Sequence, residues 1–298
     1  MDASNFTLYE VIEHRAKTDP YLKALYYQGK KISYKRFLKL IDRQADILYN
    51  QLGVRKADII LIAKPNIPDK SILFYAVNKI GAIANMVHPF TPFNQIRDIM
   101  KKTNTKVAFL FEQRVAKEVE KYRSIASEII VTRVEDYLPL PKRIIYHTFL
   151  NRAIRKKLGR AIKFKGFKYL HELKHKGPKV QKVTGSFANE CNVLLHSGST
   201  TGDPKTIMLS AKSFNYSASH AYEYLCVKGE EDTKGLGMMG ILPSFHGFGL
   251  CIQMHASFYI GMTLALIPKF SNKAAMQAFN DLKIGCIICV PNAFESLV

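Results

Sequence analysis

The sequence lacks the long apolar runs that membrane-spanning helices require. No stretch of about 18 consecutive apolar residues occurs in the chain, so the sequence contains no candidate transmembrane helix. Residues 1–6 have neither a basic start nor an apolar stretch, and a secretory signal peptide is therefore not expected. These two absences favour a cytoplasmic location.

Cysteine is scarce as well. A small secreted domain held by disulfides needs paired cysteines, whereas this chain of 298 residues has five, scattered through apolar surroundings. Cys286 and Cys289 have the C-x-x-C spacing of redox and zinc motifs, but no second Cys or His pair follows them. The apolar run 284–290 instead predicts a buried strand, in which both thiols pack as small apolar groups.

Acidic residues are few compared with basic ones. The chain carries 44 Lys and Arg against 24 Asp and Glu, for a formal net charge of +20. Between residues 139 and 182 there are fourteen basic residues and a single acidic one, Glu172. Within this region, 148–164 has one apolar side on a helical wheel and basic residues on much of the remainder, a pattern typical of helices that lie on anionic membranes.

Two other interpretations of the basic region compete with peripheral membrane contact. A solvated helical hairpin on the protein surface has the same composition. Nucleic acid also attracts basic segments, but no recognition motif accompanies the charge here, and we expect no nucleic-acid partner.

Apolar runs of strand length alternate with helical patterns along the chain. Near-continuous apolar strands with intervening helices indicate an α/β fold, with a mostly parallel sheet covered on both faces. We divide the chain into a first α/β sub-domain (1–138), a basic insertion (139–184) and a second α/β sub-domain (185–298). The predicted strands are 58–63, 106–111, 128–132, 192–195, 238–242, 262–267 and 284–290. The predicted helices are 6–17, 34–48, 69–80, 115–124 and those starting near residues 210, 248 and 273.

The strongest motif follows the predicted strand 192–195. Glycine lets the backbone approach an anion closely, successive amides and hydroxyls donate to phosphate oxygens, and a lysine supplies a compact positive charge. The motif therefore predicts a loop that binds the outer phosphates or the pyrophosphate of a nucleotide. It is not the G-x-x-x-x-G-K-[ST] loop of P-loop NTPases, because two residues separate its last glycine from its lysine. The predicted phosphate-binding residues are Ser197, Gly198, Ser199, Thr200, Thr201, Gly202 and Lys205.

This motif closely resembles the signature [ST]-[SG]-G-[ST]-T-G-x-P-K-G of the adenylate-forming superfamily, which includes acyl-CoA synthetases. Ser199 and Thr206 stand where the signature has glycine, and both remain small or polar. Residues 242–250 are similar to the family segment L-P-x-F-H-x-x-G, in which the histidine borders the acyl and adenylate site. Weaker similarities occur at 32–37, 76–89 and 290–294.

The resemblance implies the N-terminal domain of an adenylate-forming enzyme, with two stacked, mostly parallel sheets and covering helices. The family segments G-G-E, Y-G-x-T-E and T-G-D, and the C-terminal lid domain with its lysine, are not found before Val298. We therefore expect the fold to be incomplete at the C-terminus and the lid domain to be absent.

The implied activity is ATP-dependent activation of a carboxylic acid, a fatty acid above all, to an acyl-adenylate and then to acyl-CoA. ATP, Mg²⁺ and CoA are the implied cofactor and co-substrates. Lys205 and His246 are the implied catalytic residues, and Thr200 is the implied Mg²⁺ contact. The implied acid-binding residues are Phe245, His246, Phe248, Gly249 and Pro291.

Several alternatives stay open at the level of sequence. The chain is either active or a non-catalytic scaffold that requires a separate C-terminal chain, and a basic membrane-surface protein is a third hypothesis. The acyl chain length and the thiol acceptor, CoA or a carrier protein, are also undetermined.

Overall fold

A computed structural model describes residues 5–146, 148, 166–197, 205–225 and 227–295. The strands in these ranges are Lys23–Tyr27 (β1), Lys30–Ser33 (β2), Ile59–Ala63 (β3), Ile83–Met86 (β4), Thr105–Phe111 (β5), Ile129–Thr132 (β6), Lys168–Tyr169 (β7), Cys191–His196 (β8), Thr206–Ser210 (β9), Gly237–Gly240 (β10), Thr263–Leu266 (β11) and Ile284–Ile287 (β12). The α-helices are Leu8–Thr18 (α1), Tyr34–Gln51 (α2), Pro68–Ile80 (α3), Phe93–Lys102 (α4), Glu112–Lys117 (α5), Val119–Arg123 (α6), Leu140–Ile145 (α7), Ala211–Ser219 (α8), Ala221–Tyr224 (α9), Glu230–Thr233 (α10), Ala256–Tyr259 (α11), Asn272–Asp281 (α12) and Pro291–Glu295 (α13). A π-helical segment, Phe248–His255, precedes α11.

The strands form two sheets, as expected. A seven-stranded sheet has the order β7-β6-β5-β3-β4-β8-β9, and a five-stranded sheet has the order β12-β10-β11-β1-β2. Every pairing is parallel except β1 with β2 and β8 with β9. Both sheets draw strands from 1–138 and from 185–298, so neither sheet is confined to one predicted segment. The basic insertion contributes β7 to an edge of the larger sheet.

Helix α3 lies in the interior of the protein along its whole length. All of its thirteen residues are buried, including five polar or charged ones: Asp69, Lys70, Ser71, Asn78 and Lys79. It packs against α1, α2, β3 and β4, and the hydroxyl of Tyr75 bonds with His255 Nδ1 at 3.0 Å. The helix ends at Gly81, whose φ of +81° favours glycine.

Three charged side chains are buried around the start of α3. Lys64 forms an ion pair with Asp69, and both side chains are almost completely buried. The ammonium of Lys70 is buried and has no hydrogen-bond partner in the described chain. Burial lowers the pKa of Lys70 to about 7, and the positive charge of Lys64 acts in the same direction. The Lys70 Nζ lies 5.5 Å from the ring centroid of Phe245.

The predicted helix 115–124 is two shorter helices, α5 and α6, and begins earlier. The helix is interrupted at Glu118, whose backbone dihedral angles lie outside the helical region. The Glu118 carboxylate accepts from the backbone N–H of Phe93 at 3.3 Å and pairs with Arg114. A tertiary contact with the first turn of α4 therefore competes with a continuous helix, which periodicity alone does not reveal.

The prediction of a buried strand over 284–290 is wrong in part. β12 ends at Ile287 and is an outer strand of the five-stranded sheet, where its residues are half-buried or exposed. Cys286 and Cys289 are free and partly exposed. An edge strand is paired on one side only, and its apolar composition does not show this.

None of the described helices combines the length and the apolar character needed to cross a membrane.

Lys70→Met is expected to raise the free energy of unfolding at pH 7 by roughly 3 kcal/mol, because methionine fills the space without an unpaired buried charge. The folded pKa of about 7 lies below the ordinary value of 10.5, so the unfolded chain binds this proton more tightly. The loss of folding stability caused by the charged Lys70 in the parent chain is therefore complete below pH 7, and it disappears as the pH rises to 10.5.

Lys79→Met, on the same helix, is the matched control. Lys79 Nζ donates to Asp42 Oδ1 at 2.8 Å, so removing this ammonium should lower the free energy of unfolding. Urea denaturation at pH 7 and pH 10 measures both variants. If Lys70→Met does not raise the free energy of unfolding at pH 7, or raises it as much at pH 10 as at pH 7, the Lys70 ammonium is not an unpaired buried charge.

Candidate functional site

An open cleft of about 770 Å³ lies at the edge where β4 and β8 end. Because β4 and β8 are parallel neighbours, their carboxyl ends meet at one edge of the sheet, where ligand sites of α/β folds form. The lining residues are Met86, Val87, His88, Thr91, Gln95, Asp98, Ile99, Lys102, Thr103, His196, Ser197, Thr206, Phe245 and His246.

The two ends of the predicted phosphate loop are joined at the rim of this cleft. The Ser197 N–H donates to the Lys205 carbonyl at 2.9 Å, and the Lys205 N–H donates to Ser197 Oγ at 3.0 Å. Ser197 and Thr206 line the cleft, and Lys205 is exposed. The loop therefore leaves and re-enters the sheet beside the cleft. Gly198, Ser199, Thr200, Thr201 and Gly202 lie outside the described residues.

A hydrogen-bonded network lies beneath the base of the loop. His196 Nε2 donates to Asn85 Oδ1 at 2.6 Å, and Thr206 Oγ1 donates to His196 Nδ1 at 3.3 Å. The Asn85 amide donates to Thr103 Oγ1 at 3.2 Å. Burial lowers the pKa of His196, and the positive charge of Lys102 acts in the same direction. A neutral His196 with one donor and one acceptor nitrogen satisfies both partners.

Two buried amides hold the segment that carries His246. Asn66 Oδ1 accepts from the Ser244 hydroxyl at 2.8 Å, and the Asn66 amide donates to the Leu242 carbonyl at 2.8 Å. Gln253 Oε1 accepts from the Leu242 N–H at 2.8 Å, and its amide donates to the Ile288 carbonyl at 2.9 Å. These bonds position residues 242–246 between β10 and the π-helical segment.

Aromatic rings form one wall of the cleft. The ring centroids of His88 and Phe245 are 4.6 Å apart in an edge-to-face arrangement, and those of Phe245 and His246 are 4.4 Å apart. Burial lowers the pKa of His88, and the charges of His246 and Lys70 act in the same direction. His88 is therefore neutral at pH 7, and the wall is largely apolar.

The structure brings together some of the predicted site residues and separates others. Phe245 and His246 line the cleft with Ser197. Phe248 is 56% exposed, Pro291 is exposed, and Gly249 is packed so closely that an added Cβ would lie 2.4 Å from the Pro243 carbonyl oxygen. These three residues are not among those that line the described cleft.

Sequence reasoning missed His88, Asn85, His196 and Lys70. His196 stands directly after the predicted strand 192–195, a signal that could have marked it, whereas His88 follows β4, for which no strand was predicted. Asn85 and Lys70 have no such signal. Among the described residues no group of three or more His, Cys, Asp or Glu is arranged for a metal ion, and Thr200, the implied Mg²⁺ contact, lies outside them.

Comparison with known sequences agrees with this geometry. The sequence pattern of the AMP-binding enzyme family matches residues 12–298. The long-chain-fatty-acid–CoA ligase of Bacillus subtilis (strain 168) is 27% identical over 283 residues, which cover 94% of this chain and 49% of that protein. The 4-coumarate–CoA ligase-like 8 of Arabidopsis thaliana is 25% identical over 269 residues, covering 90% and 44%. The chain thus spans about half the length of the curated relatives it matches.

A solved structure supports the fold. The inhibitor-bound N-terminal domain of FACL13 from Mycobacterium tuberculosis matches with a TM-score of 0.73 at 19% identity, covering 98% of this chain and 65% of that one. This likeness confirms the fold of two mostly parallel sheets. With the family pattern matched over nearly the whole sequence, and with both ends of the phosphate-loop motif at the cleft, the chain belongs to the AMP-binding enzyme family.

Proposed function

We propose that this chain is the nucleotide- and acid-binding part of an acyl-CoA ligase that acts on fatty acids. One observation carries the proposal: Ser197 and Thr206, which flank the phosphate loop, line the same cleft as the His88–Phe245–His246 wall. A triphosphate at the loop and an apolar acid along the wall would then meet within one site. The similarity to the Bacillus subtilis ligase supports a fatty acid, and the Arabidopsis thaliana relative supports an aryl acid as the next candidate.

In the proposed reaction, a carboxylate oxygen of the acid attacks the α-phosphorus of ATP. The bond to the β-phosphate breaks, pyrophosphate leaves, and the acyl-adenylate remains. Loop amides and hydroxyls, with the Lys205 ammonium, would stabilise the charge that develops on pyrophosphate. Mg²⁺, when bound, would neutralise phosphate oxygens. A thiolate of CoA or of a carrier protein then forms the thioester bond as AMP leaves.

The wall and the network have separate roles in this proposal. His246 borders the acid carboxylate, while Phe245 and neutral His88 exclude water from its apolar part. The hydrogen bonds from Thr206 to His196 and from His196 to Asn85 hold the base of the loop, so that loop donors meet the phosphates in a fixed position.

Lys205→Ala is expected to lower the rate of ATP–pyrophosphate exchange roughly 100-fold, the effect of removing one preorganised charge-stabilising group. Lys212→Ala is the matched control, since Lys212 is also exposed and lies seven residues further along, on α8. Exchange is measured with the chain alone over a panel of fatty and aryl acids. Equal rates in the parent and Lys205→Ala chains would remove the proposed role of Lys205.

The same assay separates the ligase from a binding scaffold. Calorimetry measures ATP binding independently of exchange. ATP binding without exchange for any acid would favour a scaffold that requires a separate C-terminal chain, and restored exchange on adding such a chain would establish it. If ATP does not bind at all, the phosphate-loop assignment is wrong.

We also propose peripheral membrane contact through 148–164, which lies outside the described residues apart from Thr148. The preceding helix α7 supports this, because it exposes three aliphatic side chains, Leu140, Ile144 and Ile145, by 70%, 57% and 55%. Exposed aliphatic groups beside a basic segment are typical of proteins that bind anionic lipid surfaces.

Replacing Lys156 and Lys157 with Gln is expected to weaken binding to phosphatidylglycerol vesicles roughly 30-fold, at about 1 kcal/mol for each charge. Replacing exposed Lys269 and Lys273 with Gln is the control, because it removes the same charge elsewhere. Vesicle sedimentation measures both. Equal weakening by the two pairs, or equal binding to phosphatidylcholine vesicles, would exclude a contact through 148–164.

A further inference from the structure

A second, smaller cleft lies beside α2, away from the phosphate-loop motif. Its volume is about 300 Å³, and it is bounded by β2, α2, the start of α3 and residues 136–137 and 170–173. Three basic side chains, Lys30, Arg36 and Arg43, line its rim. Gln44 and Asp69, which are only 6% and 1% exposed, line it from within the protein.

The basic side chains of the rim are not neutralised by neighbours. None of the three forms a hydrogen bond or an ion pair through its side chain within the described chain. Burial lowers the pKa of Lys30, and repulsion from Arg36 and Arg143 acts in the same direction. An anion in the cleft would therefore relieve a like-charge repulsion that the folded chain leaves in place.

The acidic groups of the cleft are partly committed to other partners. Asp69 is paired with Lys64 through Oδ2, and Asp136 Oδ2 lies 3.9 Å from His171 Nδ1. The basic side chains of the rim thus outnumber the carboxylates, one of which already has a cation of its own. The net field of the cleft favours an anion.

Two residues that line the cleft each have a buried polar side-chain atom without a hydrogen-bond partner. Gln44 Nε2 is a donor, and Asp69 Oδ1 is an acceptor, and neither has a hydrogen-bond partner in the described chain. Leaving such atoms unpaired costs about 1–3 kcal/mol each. A ligand that accepts one hydrogen bond and donates another would satisfy both.

We propose that this cleft binds a phosphate group that retains a proton, either free or as a phosphomonoester. Its oxygens would accept from the rim side chains and from Gln44 Nε2, while its P–O–H would donate to Asp69 Oδ1. Arginine suits this role because its planar guanidinium binds two phosphate oxygens at once. Sulfate has the same shape but no proton at neutral pH, so it would meet Asp69 with an unfavourable contact.

This site is separate from the one in the proposed ligase reaction. Asp69 lines the smaller cleft, whereas the next residue, Lys70, lies against Phe245, which lines the larger one. Anion binding here is measured without ATP, so the inference stands or falls independently of the exchange assay.

Calorimetry on the whole chain at pH 6 tests the inference with inorganic phosphate, glycerol 3-phosphate and sulfate. The two phosphates should bind at least tenfold more tightly than sulfate, since only they can donate to Asp69. Equal affinity for sulfate and phosphate would overturn the proposal.

Arg43→Gln should weaken phosphate binding roughly tenfold through the loss of a charge-assisted hydrogen bond. Lys39→Gln is the matched control, because Lys39 is an exposed cation on the same helix that does not line this cleft. Gln44→Leu is a second test, since it removes the buried donor and leaves every charge in place. If Lys39→Gln weakens binding as much as Arg43→Gln, or if Gln44→Leu has no effect, the binding is general surface charge and the site does not exist.

Vesicles distinguish the two sources of the phosphate group. A lipid headgroup is the ligand if the chain binds phosphatidic acid vesicles but not phosphatidylglycerol vesicles, and if Arg43→Gln abolishes that binding. In this case glycerol 3-phosphate binds more weakly than the vesicles. Binding of the soluble phosphates with the same dependence on Arg43 assigns it to a free phosphomonoester. Absence of both overturns the proposal.

Discussion

The parallel pairing of β4 with β8 is the constraint on which the candidate site depends. It places Asn85 in register with Leu194, so the segments that begin after Met86 and His196 leave the sheet at one edge. The short bond from His196 Nε2 to Asn85 Oδ1 ties the two strand ends together. The antiparallel hairpin with β9 then closes under the phosphate loop. The place of the loop is thus decided by sheet register and not by the loop itself.

The interior of the protein contains buried charged side chains at the start of α3. An ion pair and an unpaired ammonium in such a position cost stability that apolar side chains of similar size would not. These charges lie close to both clefts. Asp69 lines the smaller cleft, and Lys70 lies against Phe245 in the aromatic wall of the larger one. Local conflicts of this kind concentrate at functional sites in natural proteins.

The described part of the larger cleft is rich in aromatic groups and hydrogen-bond donors and poor in acids. Asp98 is the one carboxylate that lines it within the described residues. Such a lining suits the holding of an anionic nucleotide tail and an apolar acid, and it supplies little for binding a cation. The relatives are about twice as long as the matched region, and a ligase reaction would draw on groups beyond those described here.

Much of the fold could be predicted from sequence, because it depends on local patterns. The strands and helices around 59–63, 68–80 and 105–111 follow from apolar runs and period, which report burial of a segment whatever its neighbours are. The phosphate-loop motif and the His246 segment are also contiguous, so their residues could be named in advance.

Only the tertiary structure decided which of these segments meet. Strands from both ends of the chain share the five-stranded sheet, the edge position of β12 leaves Cys286 partly exposed, and Glu118 interrupts a helix by bonding to the start of α4. The positions of His88, Asn85 and Lys70 at or beside the site likewise depend on contacts between segments that are far apart in sequence. The reason is physical: periodicity reports how deeply a residue is buried, whereas pairing, register and the partner of a buried charge depend on contacts between residues far apart in sequence.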